Sequence, residues 1–334
     1  MPDQQPDQRG PILFLVLLVM VGLIVVAWGV NHPGVLDERG APAPSAVDPS
    51  VVEPVETPAA QPQPEPTRSA TRETELPGGG RTVFGGHHFL VAYYGTAQTA
   101  SLGVLGESDP DTMDRRLHRA AAPFARPGQP LRHVYELIVT VADGSAGPDG
   151  SYSHDIPRAE VERYVRAAHR NDALLLLDLQ PGRSGFLQTA KRWAWALRDP
   201  WVGLALDPEW RMGPRQVPAH TVGQVTAAEV NRTSAWLSRL TRDAGLPQKL
   251  FVLHQFRTDM VLGIDRVRDR PDLAMVQHVD GYGTPRQKRA TYHAVARPQQ
   301  FTMGFKLFYD EDVRRMGPRD VRGIRPTVRF VSFQ

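Results

Sequence analysis

The sequence predicts an α/β protein: a (β/α)8 TIM barrel preceded by an N-terminal transmembrane helix and a disordered Pro-rich linker. Three observations carry this reading. Beyond residue 85, short apolar runs alternate with amphipathic stretches, as in repeated βα units. Eight such runs follow one another, the strand count of a closed barrel. Ahead of them lie one uncharged apolar run and a long proline-rich stretch with no hydrophobic period.

Taken in order, residues 1–10, MPDQQPDQRG, read as a short cytoplasmic N-terminus with Arg9 as its only basic residue. Residues 11–30 read as a membrane anchor, because ILFLVLLVMVGLIVVAWGV carries no charge and matches the roughly 20 residues that cross a bilayer. A cleaved signal peptide is the competing reading, although this run exceeds the roughly 7 to 15 apolar residues of such peptides. The chain has no cysteine, which removes disulfides, thiolate metal sites and a lipid-attachment site. Residues 31–80 read as a linker. APAPSAVDPSVVEPVETPAAQPQPEPT cannot bury enough surface to fold, and LPGGG at 76–80 reads as a flexible hinge. A barrel over 81–334 on such a stalk suits the outer face of a cell membrane, facing a polysaccharide or peptidoglycan-type glycan.

Charge divides along the same boundary. Residues 1–80 hold 4 Lys+Arg and 10 Asp+Glu, which leaves 35 basic and 26 acidic residues in the remainder, a net +9. A basic folded part favours anionic glycopolymers or lipid head groups. No nucleic-acid motif accompanies it, so nucleic acid is not an expected partner.

The eight strands are expected at 89–95, 133–142, 173–180, 202–210, 250–256, 273–282, 302–309 and 327–333. Helices fit between them. The first, in 108–124, has Ser108 or Asp109 as cap and Pro110 in its first turn, and the second, in 155–172, repeats this with Asp155 and Pro157. A third is expected in 184–199. A fourth, in 226–245, opens with Thr226 and Glu229 at capping-box spacing and closes on Gly245. The helices after strands five to seven are shorter, and the sequence ends at Gln334, directly after the eighth strand.

Active sites of such barrels form where strands end and βα loops begin. The strand ends here are polar: Tyr93 and Tyr94, Asp143, Asp178 and Gln180, Asp207 and Glu209, His254 and Gln255, Gln277, His278, Asp280 and Tyr282, then Lys306, Tyr309 and Asp310. In the fourth, VGLALDPEW, alternation puts Gly203, Ala205, Asp207 and Glu209 on one face and Leu204 and Leu206 on the other. The small residues and both carboxylates then line the axis. Burial at a barrel mouth raises a carboxylic pKa, and an acid that keeps its proton near neutrality can serve as a general acid.

This Asp-x-Glu-aromatic ending resembles that of family-18 chitinase-like glycosidases and the Asp-x-Glu of family-25 lysozyme-like enzymes. In the chitinase pattern Asp-x-x-Asp-x-Asp-x-Glu, the last two acids fall on Asp207 and Glu209 and Trp210 follows, while the first two positions hold Val202 and Ala205 and do not match. The resemblance implies that Glu209 protonates the leaving oxygen and that Asp207 orients a substrate acetamido group acting as internal nucleophile. No cofactor is implied. Substrate contacts are expected from Tyr93, Tyr94, Asp178, Gln180, Trp210, Gln277, Asp280, Tyr282, Tyr309 and Asp310, the aromatics by stacking on sugar rings. Four other readings stay open. Glu209 could act with an acid from another strand, Asp310 or Asp178. Asp207 and Glu209 could pair with Arg211 and Lys306 in a structural network. His254, His278 and Asp280 could ligate a metal, and the barrel could bind a glycan or envelope protein without catalysis.

Overall fold

The computed structural model describes residues 75–97 and 99–334. The expected cytoplasmic N-terminus, membrane anchor and most of the linker lie outside them. Among the described residues no helix is long and apolar enough to cross a membrane.

Eight parallel strands close on themselves: β1 (Phe89–Gly95), β2 (Leu131–Ala142), β3 (Leu174–Leu179), β4 (Val202–Leu206), β5 (Lys249–His254), β6 (Leu273–Val279), β7 (Thr302–Leu307) and β8 (Val328–Phe333). Each pairs with its sequence neighbours, and β1 pairs with both β2 and β8, Ala92 lying opposite Val134 on one side and Ser332 on the other. Four strand expectations overran at the C-terminal end by two residues or more. The ladder stops at Leu206, His254, Val279 and Leu307 instead of 210, 256, 282 and 309, because the chain turns outward there into its βα loops.

The helices are α1 (Pro110–Ala121), α2 (Arg158–Arg170), α3 (Phe186–Arg192), α4 (Ala227–Asp243), α5 (Pro285–Val295) and α6 (Pro318–Gly323). Asp109 caps α1, its side chain accepting from the Asp111 and Thr112 amides. Asp155 does not cap α2, which starts after Pro157; its carboxylate instead holds Arg192 and Thr140. Thr226 caps α4 through the Glu229 amide, but the Glu229 carboxylate turns away to Arg211 and the Phe186 amide, so the box does not close. A closed capping box does form at Thr284 and Gln287, at the head of α5. Between β5 and β6 the described chain forms no α-helix, only a two-residue strand, Val261–Leu262, paired with Val225–Thr226, and a 3-10 turn, Ile264–Arg266.

Strand alternation sorts the core into two compartments. Residues such as Val91, Leu177, Leu204, Leu206, Phe251 and Phe305 pack outward against the helices. Leu90, Ala92, Val134, Leu176, Ala205, Val252, Val276 and Phe330 fill the barrel interior. Leu76 and Val83 belong to that inner cluster, which corrects the expected hinge at 76–80. This segment is an ordered plug. The Leu76 amide donates to Gly80 O at 2.7 Å, Arg132 donates to Pro77 O and Gly79 O, and the Trp201 indole donates to Glu75 O at 2.7 Å. The three consecutive glycines supply positive φ for the turn that lets Leu76 enter the barrel floor.

Candidate active site

Above the inner apolar layer, the next inward position of nearly every strand is polar. Tyr94 comes from β1, Glu136 from β2, Asp178 from β3, His254 from β5, His278 from β6, Lys306 from β7 and Ser332 from β8, all buried. Asp207 and Asp280, one residue beyond β4 and β6, complete the ring.

Two hydrogen-bonded groups cross the lumen. Tyr94 Oη donates to Asp178 Oδ2 at 2.9 Å and accepts from Gln180 Nε2 at 3.2 Å, while Lys306 Nζ sits 3.4 Å over the Tyr94 ring. Opposite, His254 Nδ1 lies 2.9 Å from Asp280 Oδ2 and Nε2 lies 3.0 Å from Glu136 Oε1. His278 Nε2 meets Ser332 Oγ at 2.7 Å. Its Nδ1 lies so close to Gly304 that a Cβ at 304 would collide with it.

Asp207 and Glu209 stand where β4 ends. They are not successive same-face residues of one strand, as expected, because Asp207 caps a 3-10 turn over Pro208–Trp210. Its Oδ1 accepts from the Glu209 amide at 3.2 Å, and Glu209 O accepts from the Gly223 amide at 2.6 Å. The Glu209 carboxyl is part-buried and has no hydrogen bond or ion pair among the described residues. The alternative pairing with Arg211 and Lys306 is not formed. Arg211 Nε is held by Glu229 Oε1 at 3.0 Å, and Lys306 Nζ is held by Tyr94 and by Gln334 Oε1 at 3.1 Å.

Charge arithmetic decides what this cluster does with protons. Five carboxyl groups, Glu136, Asp178, Asp207, Glu209 and Asp280, meet two cations, His254 and Lys306. Full ionisation would leave an excess of negative charge in a dry lumen, so some of the acids keep protons. Burial pushes Asp207 well above the usual carboxylate range, and Asp178, Glu209 and Asp280 add to it against the opposing charge of His254. Asp178 is raised by burial, with His254 opposing and Glu136 reinforcing. Glu209 is pushed up to about 7, first by burial and then by Asp280, with Lys306 and His254 pulling the other way. Burial disfavours a charged His254, but its hydrogen bonds to Asp280 and Glu136 outweigh that and hold it well above its ordinary value. Burial would also raise Asp280, yet the His254 hydrogen bond brings it below the usual range. Burial and the charges of His254 and Lys306 keep His278 neutral.

The expected contact residues divide by strand face. Tyr94, Asp178, Gln180 and Asp280 join the lumen, and Trp210 follows Glu209, part-buried, on the same turn. Tyr282 is 48% exposed and packs edge-on against Phe308; Asp310 is exposed on the following loop. Gln277 is not at the mouth. It faces outward and is bonded to Gln255, Val295 O and the Arg297 amide. Tyr93 also faces outward, its hydroxyl 3.3 Å from that of Tyr309, in an aromatic group with Phe333. Both rings of the metal alternative are engaged by other groups, and among the described residues no set of three His, Cys, Asp or Glu side chains is placed to hold a metal ion. Glu136 was missed in the sequence, although it is the only charged residue in HVYELIVTVA. Two hollows flank the mouth without including Glu209. One of about 210 Å3 lies among Gln216, Gly223, Gln224 and Arg257, the other of about 360 Å3 among Lys191, Arg211 and Arg232.

Fold and site together define a closed (β/α)8 barrel with a carboxyl-rich mouth. No protein-family model matches the sequence, and no curated protein sequence matches it. Among solved structures, an enolase from Pseudomonas fluorescens Pf0-1, determined with bound magnesium, potassium and tartrate, is similar at 12% identity and a TM-score of 0.34. That match covers 73% of this chain and 48% of the enolase, so this chain spans about half the length of that protein.

Proposed function

We propose that this protein is a membrane-anchored glycoside hydrolase with its barrel outside the cytoplasm, acting on a cell-envelope or extracellular glycan of the polysaccharide or peptidoglycan type. The observation that carries the reading is the Glu209 carboxyl, which has no hydrogen bond or ion pair among the described residues and stands at the barrel mouth beside buried Asp207, where burial pushes its pKa up to about 7. In this reading protonated Glu209 gives its proton to the glycosidic oxygen as the bond to the anomeric carbon breaks. The acetamido oxygen of the substrate attacks that carbon, Asp207 balances the charge developing on the acetamido nitrogen, and water then opens the intermediate with Glu209 as base. Register supports a role for Asp178. The acid that the chitinase-like pattern places at Ala205 is absent, and Asp178 of β3 lies directly opposite Ala205.

The test is release of reducing ends from cell-wall or chitin-type oligosaccharides by the full chain, with loss in Glu209→Gln. A second reading, a barrel that binds a glycan or an envelope protein without cleaving it, is favoured by the mismatches at Val202 and Ala205. Retention of those oligosaccharides without turnover would select it. Anchoring is tested by fractionation, with the chain expected in the membrane pellet and its barrel open to external protease.

A further inference from the structure

The imidazole of His254 is fully buried between two carboxyl groups from different strands, 3.0 Å from Glu136 on β2 and 2.9 Å from Asp280 just beyond β6. Both acceptors are oxygens, so a single ring proton cannot satisfy both contacts. Either the ring carries two protons or one of the acids carries one. The remaining oxygens, Glu136 Oε2 and Asp280 Oδ1, are buried and have no partner among the described residues, so each acid leans on the ring for its compensation. The glycosidase reading uses Asp280 only as an expected substrate contact and gives Glu136 and His254 no part.

We propose that His254 is a positioning residue: an imidazolium sealed between Glu136 and Asp280 that fixes Asp280 as an anion at the same end of the barrel as Glu209 and so keeps the proton on the acid. The inference rests on the reading of Glu209 as that acid. Charged and titratable groups reach the region from every strand but β8: Tyr94, Glu136, Asp178, Asp207, His254, His278, Asp280 and Lys306. Of these, Asp280 is the charge that acts most strongly on Glu209. Lys306 and His254 oppose it. Lys306 is drawn toward Tyr94 and Gln334.

Asp280→Asn keeps an acceptor for His254 Nδ1 and removes the charge. The basic limb of the kcat/KM profile is expected to move to lower pH by about one unit. His254→Gln strands two buried carboxylates that then take up protons, so its limb moves the same way, and the double variant moves no further than Asp280→Asn alone. Titration of the Glu209 carboxyl by carbon NMR in the full chain, assigned by difference from Glu209→Gln, reads the same shift without turnover. Nitrogen NMR of His254 is expected to show both ring nitrogens protonated at about pH 8. If no glycan is cleaved but the carboxyl titration shifts, the glycosidase reading fails and the relay stands. A neutral His254 at that pH, or an unmoved Glu209 titration in Asp280→Asn, overturns the inference.

Discussion

Glu209→Gln separates a working acid from a structural one, because it is expected to cost activity and add stability together. An unfolded glutamic acid titrates near 4.5, whereas in the barrel Glu209 is pushed up to about 7. Below the first value both states hold the proton, and the group contributes nothing to pH dependence. Between the two the folded state binds more protons, so stability falls as pH rises; above the second both states are ionised and the full penalty remains. At about 1.36 kcal/mol per pH unit the ceiling is about 3 kcal/mol, and screening at a part-buried carboxyl reduces it to about 1–2 kcal/mol. Glutamine carries no such penalty. At about pH 8 the variant is expected to melt about 2–8 °C higher than the parent, with no gain at about pH 4. Calorimetry at the two pH values measures this, and turnover assayed alongside is expected to fall by about 10²–10⁴-fold. Equal melting temperatures at the higher pH, or a less stable variant there, would refute the buried-acid argument.

Asp207→Asn keeps the acceptor that caps the Pro208–Trp210 turn and removes an acid that burial pushes well above the usual carboxylate range, so at about pH 8 its melting temperature is expected to rise above the parent's while kcat falls by about 10²-fold or more in steady-state assays. Lys288 is buried with Asp312 at 2.9 Å and also donates to Gly281 O and Lys306 O, and Lys288→Met leaves the carboxylate without a counter-charge, held only by the Gly283 and Phe308 amides. Denaturant unfolding is expected to show a loss of about 3–5 kcal/mol, only partly recovered in Lys288→Met/Asp312→Asn, because the amide can accept from just one of the two backbone N–H groups that Asp312 holds. Leu76→Ala opens a void in the barrel floor and is expected to cost about 2–5 kcal/mol by the same measurement; an unchanged midpoint would return 76–80 to the role of a hinge.

The barrel was legible because apolar runs and helix caps are local signals. Eight strands and four helices could be placed from them, and the parity of VGLALD put Ala205 inside and Leu204 outside correctly. What failed depended on contacts distant in sequence. LPGGG has the composition of a hinge, and only Leu76, lodged under strands from the whole barrel, makes it a plug. Gln277 is polar and near a strand end, but it is one residue out of phase with His278 and therefore faces Arg297 instead of the mouth. Parity counted along β6 would have shown this. Glu136 was open to the same count, being in phase with Val134, an interior residue. The Thr284-to-Gln287 capping box was a local signal passed over. The pairing of Arg211 with Glu229 depends on how α4 packs beside the β4 turn, which residue order alone does not specify.

The central claim is that Glu209 delivers a proton to a glycosidic oxygen. The most direct measurement is chromatographic product analysis of one N-acetylated cell-wall or chitin-type oligosaccharide incubated with the full chain and, in parallel, with Glu209→Gln. The account predicts shortened, reducing-end products from the parent and intact oligosaccharide from the variant. Equal product from both would contradict it.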